Sequence, residues 1–241
     1  VISFVWARLN KFPFPSMKGS LAMVLPELRE IAPKVEKQTS SFDPDKRIEK
    51  RIDSLAGVEK GREMTFDEAD SGHVNPHFPR EGYDDNCQTC VVVFEARLRG
   101  YDIEACPFCE GSNTELLSRE TNLAWRNFWG RHPSYIENRT PKTPEELYNF
   151  VSGNIKPGQR FTLEGAWKNY GCGHIISVMR GEDGNLLFYD PQTNKKYTKE
   201  SAINGILKRM DPCSIKLLRV DSLDIDCDFV NPIVRRSGSN G

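Results

Sequence analysis

Apolar residues recur every three or four positions early in the chain, at Leu21, Val24, Leu28, Ile31 and Val35, which marks one face of an amphipathic helix. Pro26 and Pro33 interrupt that face, and residues 39–44 form a polar, serine-rich break, so the pattern predicts short helices that run into a linker. Thr65-Phe66-Asp67-Glu68 then carries a helix-start signature, in which the hydroxyl and the carboxylate each satisfy backbone donors that a first turn leaves free. A compact domain is expected to begin near there. The resulting organisation is a helical arm and linker over residues 1–62, a folded domain over 63–221 and a C-terminal tail over 222–241.

Within that domain, Asp84-Asp85-Asn86 offers cap residues in front of Cys87 to Arg99, and Gly100 closes the run. Cys87, Val91, Phe94 and Leu98 share a helical face, while Val92 and Val93 carry apolar character round the flank, so this helix should be buried on most sides. The β-branched run Val91 to Phe94 also suits a strand; its length and the closing glycine favour a helix. Thr143-Pro144-Glu145-Glu146 signals a second helix, with a cap, a proline at the first helical position and a capping-box acid. Strand patterns follow at Arg160 to Trp167, at His174 to Met179 and at Leu186 to Tyr189. The last two are joined by Gly181-Glu182-Asp183-Gly184 as a hairpin, and more strand character lies at Ser214 to Val220. Helices first and strands afterwards predict a segregated α+β fold, not alternating βαβ units.

Composition narrows the class. The 241 residues are 38% hydrophobic and 28% charged, enough apolar content to bury a core. Lys and Arg total 33 against 34 Asp and Glu, for a net charge of -1, so no global field favours nucleic acid or an anionic membrane as partner. The apolar opening Val1 to Trp6 is cut off by Arg8, Asn10 and Lys11, well short of the ~20 residues of a membrane span and unlike a secretory signal. With no initiating Met the chain reads as a piece of a longer polypeptide, soluble, with its location left open between the cytoplasm and delivery into a target cell.

Seven cysteines admit two readings. Cys87, Cys90, Cys106 and Cys109 form two CxxC pairs at zinc spacing, which would make a tetrahedral thiolate site and a zinc-stapled binding module. Against this, Cys87-Gln-Thr-Cys90 lacks the Gly or Pro of a metal knuckle and runs straight into a helix. Disulfides are disfavoured by the odd count. The competing reading makes Cys87 a nucleophile, because a thiol at a helix N-terminus is drawn toward the thiolate. Its base must come from His73, His77, His132 and His174. The first three sit in polar loop sequences and read as solvated. His174 follows Gly171-Cys172-Gly173 and opens a strand that folds back through the Asp183-Gly184 turn, which places it opposite residues 190–192 and makes Asp190 the candidate orienting acid.

The blocks Asn86-Cys87-Gln88-Thr89-Cys90 with Arg97-Leu98-Arg99-Gly100-Tyr101-Asp102, then Gly173-His174-Ile175-Ile176-Ser177-Val178, then Tyr189-Asp190-Pro191-Gln192-Thr193, resemble the papain-fold toxin family. These are the papain-like or glutamine deamidase domains of polymorphic toxins and phage-head-associated proteins. The likeness spans about Asn75 to Val220. It implies a papain-like fold with a nucleophile-bearing helix packed on an antiparallel sheet, Cys87 as nucleophile, His174 as base and Asp190 as orienting acid. It also implies that Asn86 and Gln192 orient the triad or stabilise an oxyanion. The implied activity is deamidation of a protein glutamine without a cofactor; a papain-like peptidase would use the same residues. The implied partners are a protein substrate, a cognate immunity protein and a larger parent phage or toxin polypeptide. The extra pair Cys106 and Cys109 departs from the family blocks.

Overall fold

The computed structural model describes residues 54–239 apart from 138 and 142; the predicted amphipathic arm lies outside them except for residues 54–62. In chain order, a small hairpin of β1 (Ser54–Leu55) and β2 (Val58–Glu59) precedes the short helices α1 (Phe66–Ala69) and α2 (Ser71–Val74). Then come α3 (Cys87–Leu98), β3 (Ile103–Ala105), α4 (Asn113–Arg119), β4 (Trp125–Arg126), β5 (Ile136–Glu137) and α5 (Pro144–Asn154). Strands β6 (Arg160–Ala166), β7 (Gly173–Arg180), β8 (Leu186–Asp190) and β9 (Lys195–Tyr197) follow, with α6 (Glu200–Leu207) and β10 (Lys216–Arg219) after them. Strand β11 (Asp224–Ile225), α7 (Cys227–Val230) and β12 (Val234–Arg236) complete the chain as described.

The central feature is a six-stranded antiparallel sheet in the order β5-β10-β6-β7-β8-β9. Strand alternation splits its side chains between two cores. Phe161 and Leu163 of β6, paired with Val178 and Ile176 of β7, join Phe188 against Leu147 and Val151 of α5 and Ile203 and Leu207 of α6. Tyr189 and Leu218 belong to the other core, with Val92, Val93 and Phe94 of α3. There the Tyr189 ring stands 4.7 Å from both Phe94 and Phe66. The fold is α+β, with the cysteine-bearing helix laid on an antiparallel sheet. No helix among the described residues is long and apolar enough to cross a membrane.

Helix α3 is buried along nearly its whole length, from Gln88 through Arg97. Both predicted capping boxes form, at Thr65–Glu68 and at Thr143–Glu146 with Pro144 in the first turn. After α3 the chain turns at Gly100, with φ +103°, and a Cβ there would stand 2.5 Å from the Gly61 carbonyl oxygen and 2.7 Å from that of Arg62. Gly61 N–H also donates to the Gly100 carbonyl at 2.9 Å. Gly100→Ala is therefore expected to lower stability by about 2 kcal/mol or more, from the disfavoured φ and the backbone clash together. Urea unfolding midpoints of the two proteins test this; equal midpoints would show that the turn relaxes freely.

Three sequence expectations need correction. Residues 54–61, assigned to the arm, are part of the domain: Leu55 and Val58 are buried in the core beneath α3, and Ala56 N–H donates to Asn231 Oδ1 at 2.8 Å. Residues 222–239, assigned to a tail, close that same core. Strand β11 pairs with β4, β12 pairs with β3, and Ile225, Val230, Ile233 and Val234 are buried. The short runs of one or two apolar residues in this stretch find cross-strand partners far away in sequence, which no local pattern reveals. The segregated order of helices and strands also fails in detail, since α6 lies between β9 and β10 and small strands lie before the main sheet.

Candidate active site

Cys87 is the first residue of α3, half-buried, at the end where backbone N–H groups are unpaired by geometry. Asn86 ahead of it gives no side-chain cap; its carbonyl accepts from Thr89 N–H at 2.9 Å and Cys90 N–H at 3.0 Å. The N–H groups of Cys87 and Gln88 have no acceptor among the described residues, so two donors and the positive end of the helix dipole face the cleft beside the sulfur.

The hairpin delivers the other two groups. Ser177 pairs with Tyr189 and Val178 with Phe188, around a turn whose Gly184 takes φ +81°. Continuing that register sets Gln192 opposite His174 and leaves Asp190 on the diagonal, two residues away on the same side. His174 Nε2 meets Asp190 Oδ2 at 3.1 Å, and the Cys87 sulfur lies close enough to the ring to act on it. With Nε2 committed to the carboxylate, Nδ1 is the nitrogen left for the thiol. Burial by itself pulls the imidazole's pKa down. The hydrogen bond to Asp190, the Cys87 sulfur beside the ring and the negative charge those two groups can carry overcome it and push His174 up to about 10.

Asp190 is buried and anchored from several directions. Its Oδ1 accepts from Gln192 N–H at 3.1 Å and Thr193 N–H at 3.4 Å, and Thr193 Oγ donates to Oδ2 at 2.7 Å. Burial would raise its pKa, but His174 and the Thr193 donors hold the carboxyl below its ordinary value. The pair is thus arranged to be carboxylate and imidazolium. Trp167 stacks on the imidazole with centroids 5.5 Å apart and planes 20° apart, and the Arg209 guanidinium lies 5.2 Å from the Trp167 ring. Neither Trp167 nor Arg209 carried a sequence signal of its own, and Thr193 entered only as the last residue of a family-like block.

Asn86 and Gln192 also come together. The fully buried Asn86 amide donates to Asn75 Oδ1 at 3.2 Å and to the Cys106 carbonyl at 3.1 Å. Its Oδ1 accepts from Cys90 Sγ at 3.2 Å, Asn75 Nδ2 at 3.3 Å and Gln192 Nε2 at 3.4 Å. Asn86 therefore ties the loop before α3 to the 106 and 192 segments, and its donors are spent away from any oxyanion. Gln192 lines the cleft. Asn75, which also donates to the Tyr83 and Gln192 carbonyls, was not singled out from sequence.

The four candidate zinc cysteines are not brought together. Cys90 is sealed in the core, where burial pushes its thiol well up, while Cys109 is exposed. Among the described residues no three His, Cys, Asp or Glu side chains stand close enough to share a metal ion. The second CxxC pair instead shapes the loop behind the cysteine helix, with Cys106 N–H bonded to the Ile233 carbonyl at 3.0 Å. The other histidines lie away from the cleft: His77 approaches Glu104 at 3.7 Å, and His132 Nδ1 sits 3.2 Å from the Trp125 carbonyl. Cys87, His174, Asp190 and Gln192 line an open cleft of about 680 Å³.

Comparison with known proteins follows the same blocks. Residues 85–195 match the family described as papain fold toxin 1, glutamine deamidase. Among solved structures, the chain is similar to the Pseudomonas avirulence protein AvrPphB at 12% identity, over 60% of this chain and 70% of that one, with a TM-score of 0.30 too low to bear on the site. No curated protein matches the sequence. Residues 85–195, the segment that holds the cysteine helix, the histidine strand and the aspartate, are thus similar to the papain fold toxin 1, glutamine deamidase family.

Proposed function

We propose that the protein is a thiol amidohydrolase that converts a glutamine side-chain amide of a protein substrate to a carboxylate, through a thioester on Cys87. The observation that carries this reading is the succession met in one cleft: a thiol at the first position of a helix, an imidazole beside it, and a buried carboxylate 3.1 Å from that imidazole. The matched family supports the substrate class.

In this mechanism Cys87 Sγ attacks the side-chain carbonyl carbon. The new oxyanion is held by the Cys87 and Gln88 N–H groups, which cost no reorganisation at the moment of reaction. His174 gives its Nδ1 proton to the departing nitrogen, the C–N bond breaks, and ammonia leaves a thioester. The now neutral ring takes a proton from water, whose oxygen attacks the thioester; the C–S bond breaks and the acid leaves, restoring thiolate and imidazolium. Asp190 stays ionised throughout and fixes the ring. No cofactor enters these steps, and a cognate immunity protein would act by covering the mouth of the cleft.

The test follows ammonia release and amide-to-acid conversion in an N-blocked glutaminyl-glycine probe and in glutamine-bearing peptides. A new amino terminus in place of ammonia would assign peptidase activity and overturn the deamidase reading. Asp190 gives an internal check. Asp190→Asn keeps shape and a hydrogen bond and should lower kcat about tenfold, while Asp190→Ala should lower it about a hundredfold, both with little change in KM. Near-normal kcat in both would reduce Asp190 to a hairpin-end aspartate.

A further inference from the structure

The cleft is electrically uneven, and the unevenness falls on charges that have no ion partner among the described residues. Several of its cations are already paired: Arg119 with Glu115, Arg139 with Glu137 and Lys216 with Glu164. Lys195 and Arg209 are not; no ion pair engages either among the described residues. Both line the cleft at the histidine end. Lys195 is the cross-strand neighbour of Asp190, whose carboxylate is committed to His174, and Arg209 lies over Trp167, which lies over the His174 ring. Tyr197 lies close enough to Asp190 and to Arg209 for both to act on its hydroxyl, and burial pushes that hydroxyl's pKa up.

On the cysteine side, Asp84 and Asp85 line the cleft in the two positions before Asn86 and Cys87, again without an ion partner among the described residues. Burial and the charge of Asp84 together raise the Asp85 carboxyl. The cleft lining therefore holds two acids next to the thiol in sequence and two bases beside the imidazole with its carboxylate and indole.

We infer that the cleft selects a protein segment with opposite charges on the two sides of the target glutamine, an acidic residue held by Lys195 and Arg209 and a basic one facing Asp84 and Asp85. This inference rests on the deamidase reading for the identity of the central residue only. Substrate charges would here do what a near-neutral protein cannot do with its global field: orient the chain across Cys87 so that one direction is bound and the reverse is repelled.

The experiment uses two fluorescent peptides of identical composition and zero net charge, Glu-Ala-Gln-Ala-Lys and its reverse Lys-Ala-Gln-Ala-Glu, blocked at both ends. Their binding to the full chain carrying Cys87→Ala is measured by fluorescence anisotropy, so that chemistry plays no part. One direction should bind about tenfold tighter, and about 0.5 M salt should erase most of the difference. The double variant Lys195→Gln, Arg209→Gln should collapse the ratio, and Asp84→Asn with Asp85→Asn should reduce it independently. Equal binding of the two peptides, or a preference that survives both double variants, overturns the inference. Ammonia release by the unmodified protein is followed in parallel: a clear directional preference without ammonia would sink the deamidase reading while leaving the charge selection standing.

Discussion

Replacing Cys87 by Ala is expected to abolish ammonia release from a glutamine substrate, by at least about 10⁴-fold, while the fold stays intact. The thiol is half-buried at a helix start, its side chain bonded to Gln88 Oε1 and close to His174, and a methyl group fits the same place without a clash. The thermal midpoint should shift by no more than about 2 °C. A second readout separates this from a structural effect. Because His174 is raised above its ordinary 6.5 to about 10, it contributes stability that is fully present below pH 6.5 and is lost as pH rises through about 10. Cys87 is one cause of that rise, so in Cys87→Ala the loss should set in at lower pH, visible as urea midpoints that diverge from the parent protein on the alkaline side. A variant that unfolds early at every pH, or that retains turnover, would remove Cys87 from the role of nucleophile.

The largest stability effect should come from the other end of the same helix. Glu95 is 3% exposed, and its two oxygens are shared between Arg99 at 2.9 Å and the Arg160 guanidinium at 2.8 Å. Arg99 in turn holds the carbonyls of Leu223 and Val220 at 2.6 Å, and Arg160 sits on the first residue of β6. Glu95→Ala would strand two arginines against the core without a counter-charge, and breaking such a buried group costs about 3 kcal/mol or more. Glu95→Gln should cost less, since the amide oxygen still accepts. Chemical denaturation measures both. A loss under about 1 kcal/mol for Glu95→Ala would mean that water reaches the two guanidinium groups once the carboxylate is gone.

Local chemistry explains which parts of this protein could be read in advance. Helix α3 announced itself at both ends, and the glycine that closes it is required by a positive φ, a constraint that acts within three residues. The capping boxes at Thr65 and Thr143 are likewise local, and each was legible because a side chain three positions away completes it. The hairpin between β7 and β8 was legible to within two residues because Asp183-Gly184 pins the turn, and that was enough to bring Asp190 to His174. What escaped depends on distant pairings. Asn75 serves the site by bonding Asn86 and Gln192, a role defined only once three loops converge. Trp167 stacks on His174 from the end of the neighbouring strand, where it could equally have been core. The zinc spacing misled because CxxC spacing is also what a helix start followed by a tight loop produces, and only the fold shows that one sulfur is sealed inside while another faces solvent.

Strand β12 has a consequence for when the protein becomes competent. Val234, Arg235 and Arg236 pair with Ala105, Glu104 and Ile103, the strand that directly follows the cysteine helix, and Arg235 neutralises the buried Glu104. During synthesis Cys87, His174 and Asp190 are all made before this pairing can form, yet the apolar floor under the cysteine helix stays open until β12 docks. Closing a loop of that length is slow in comparison with forming the hairpin. A chain cut short before Val234 would thus hold Cys87, His174 and Asp190 and still lack the strand that closes the core beneath the cysteine helix.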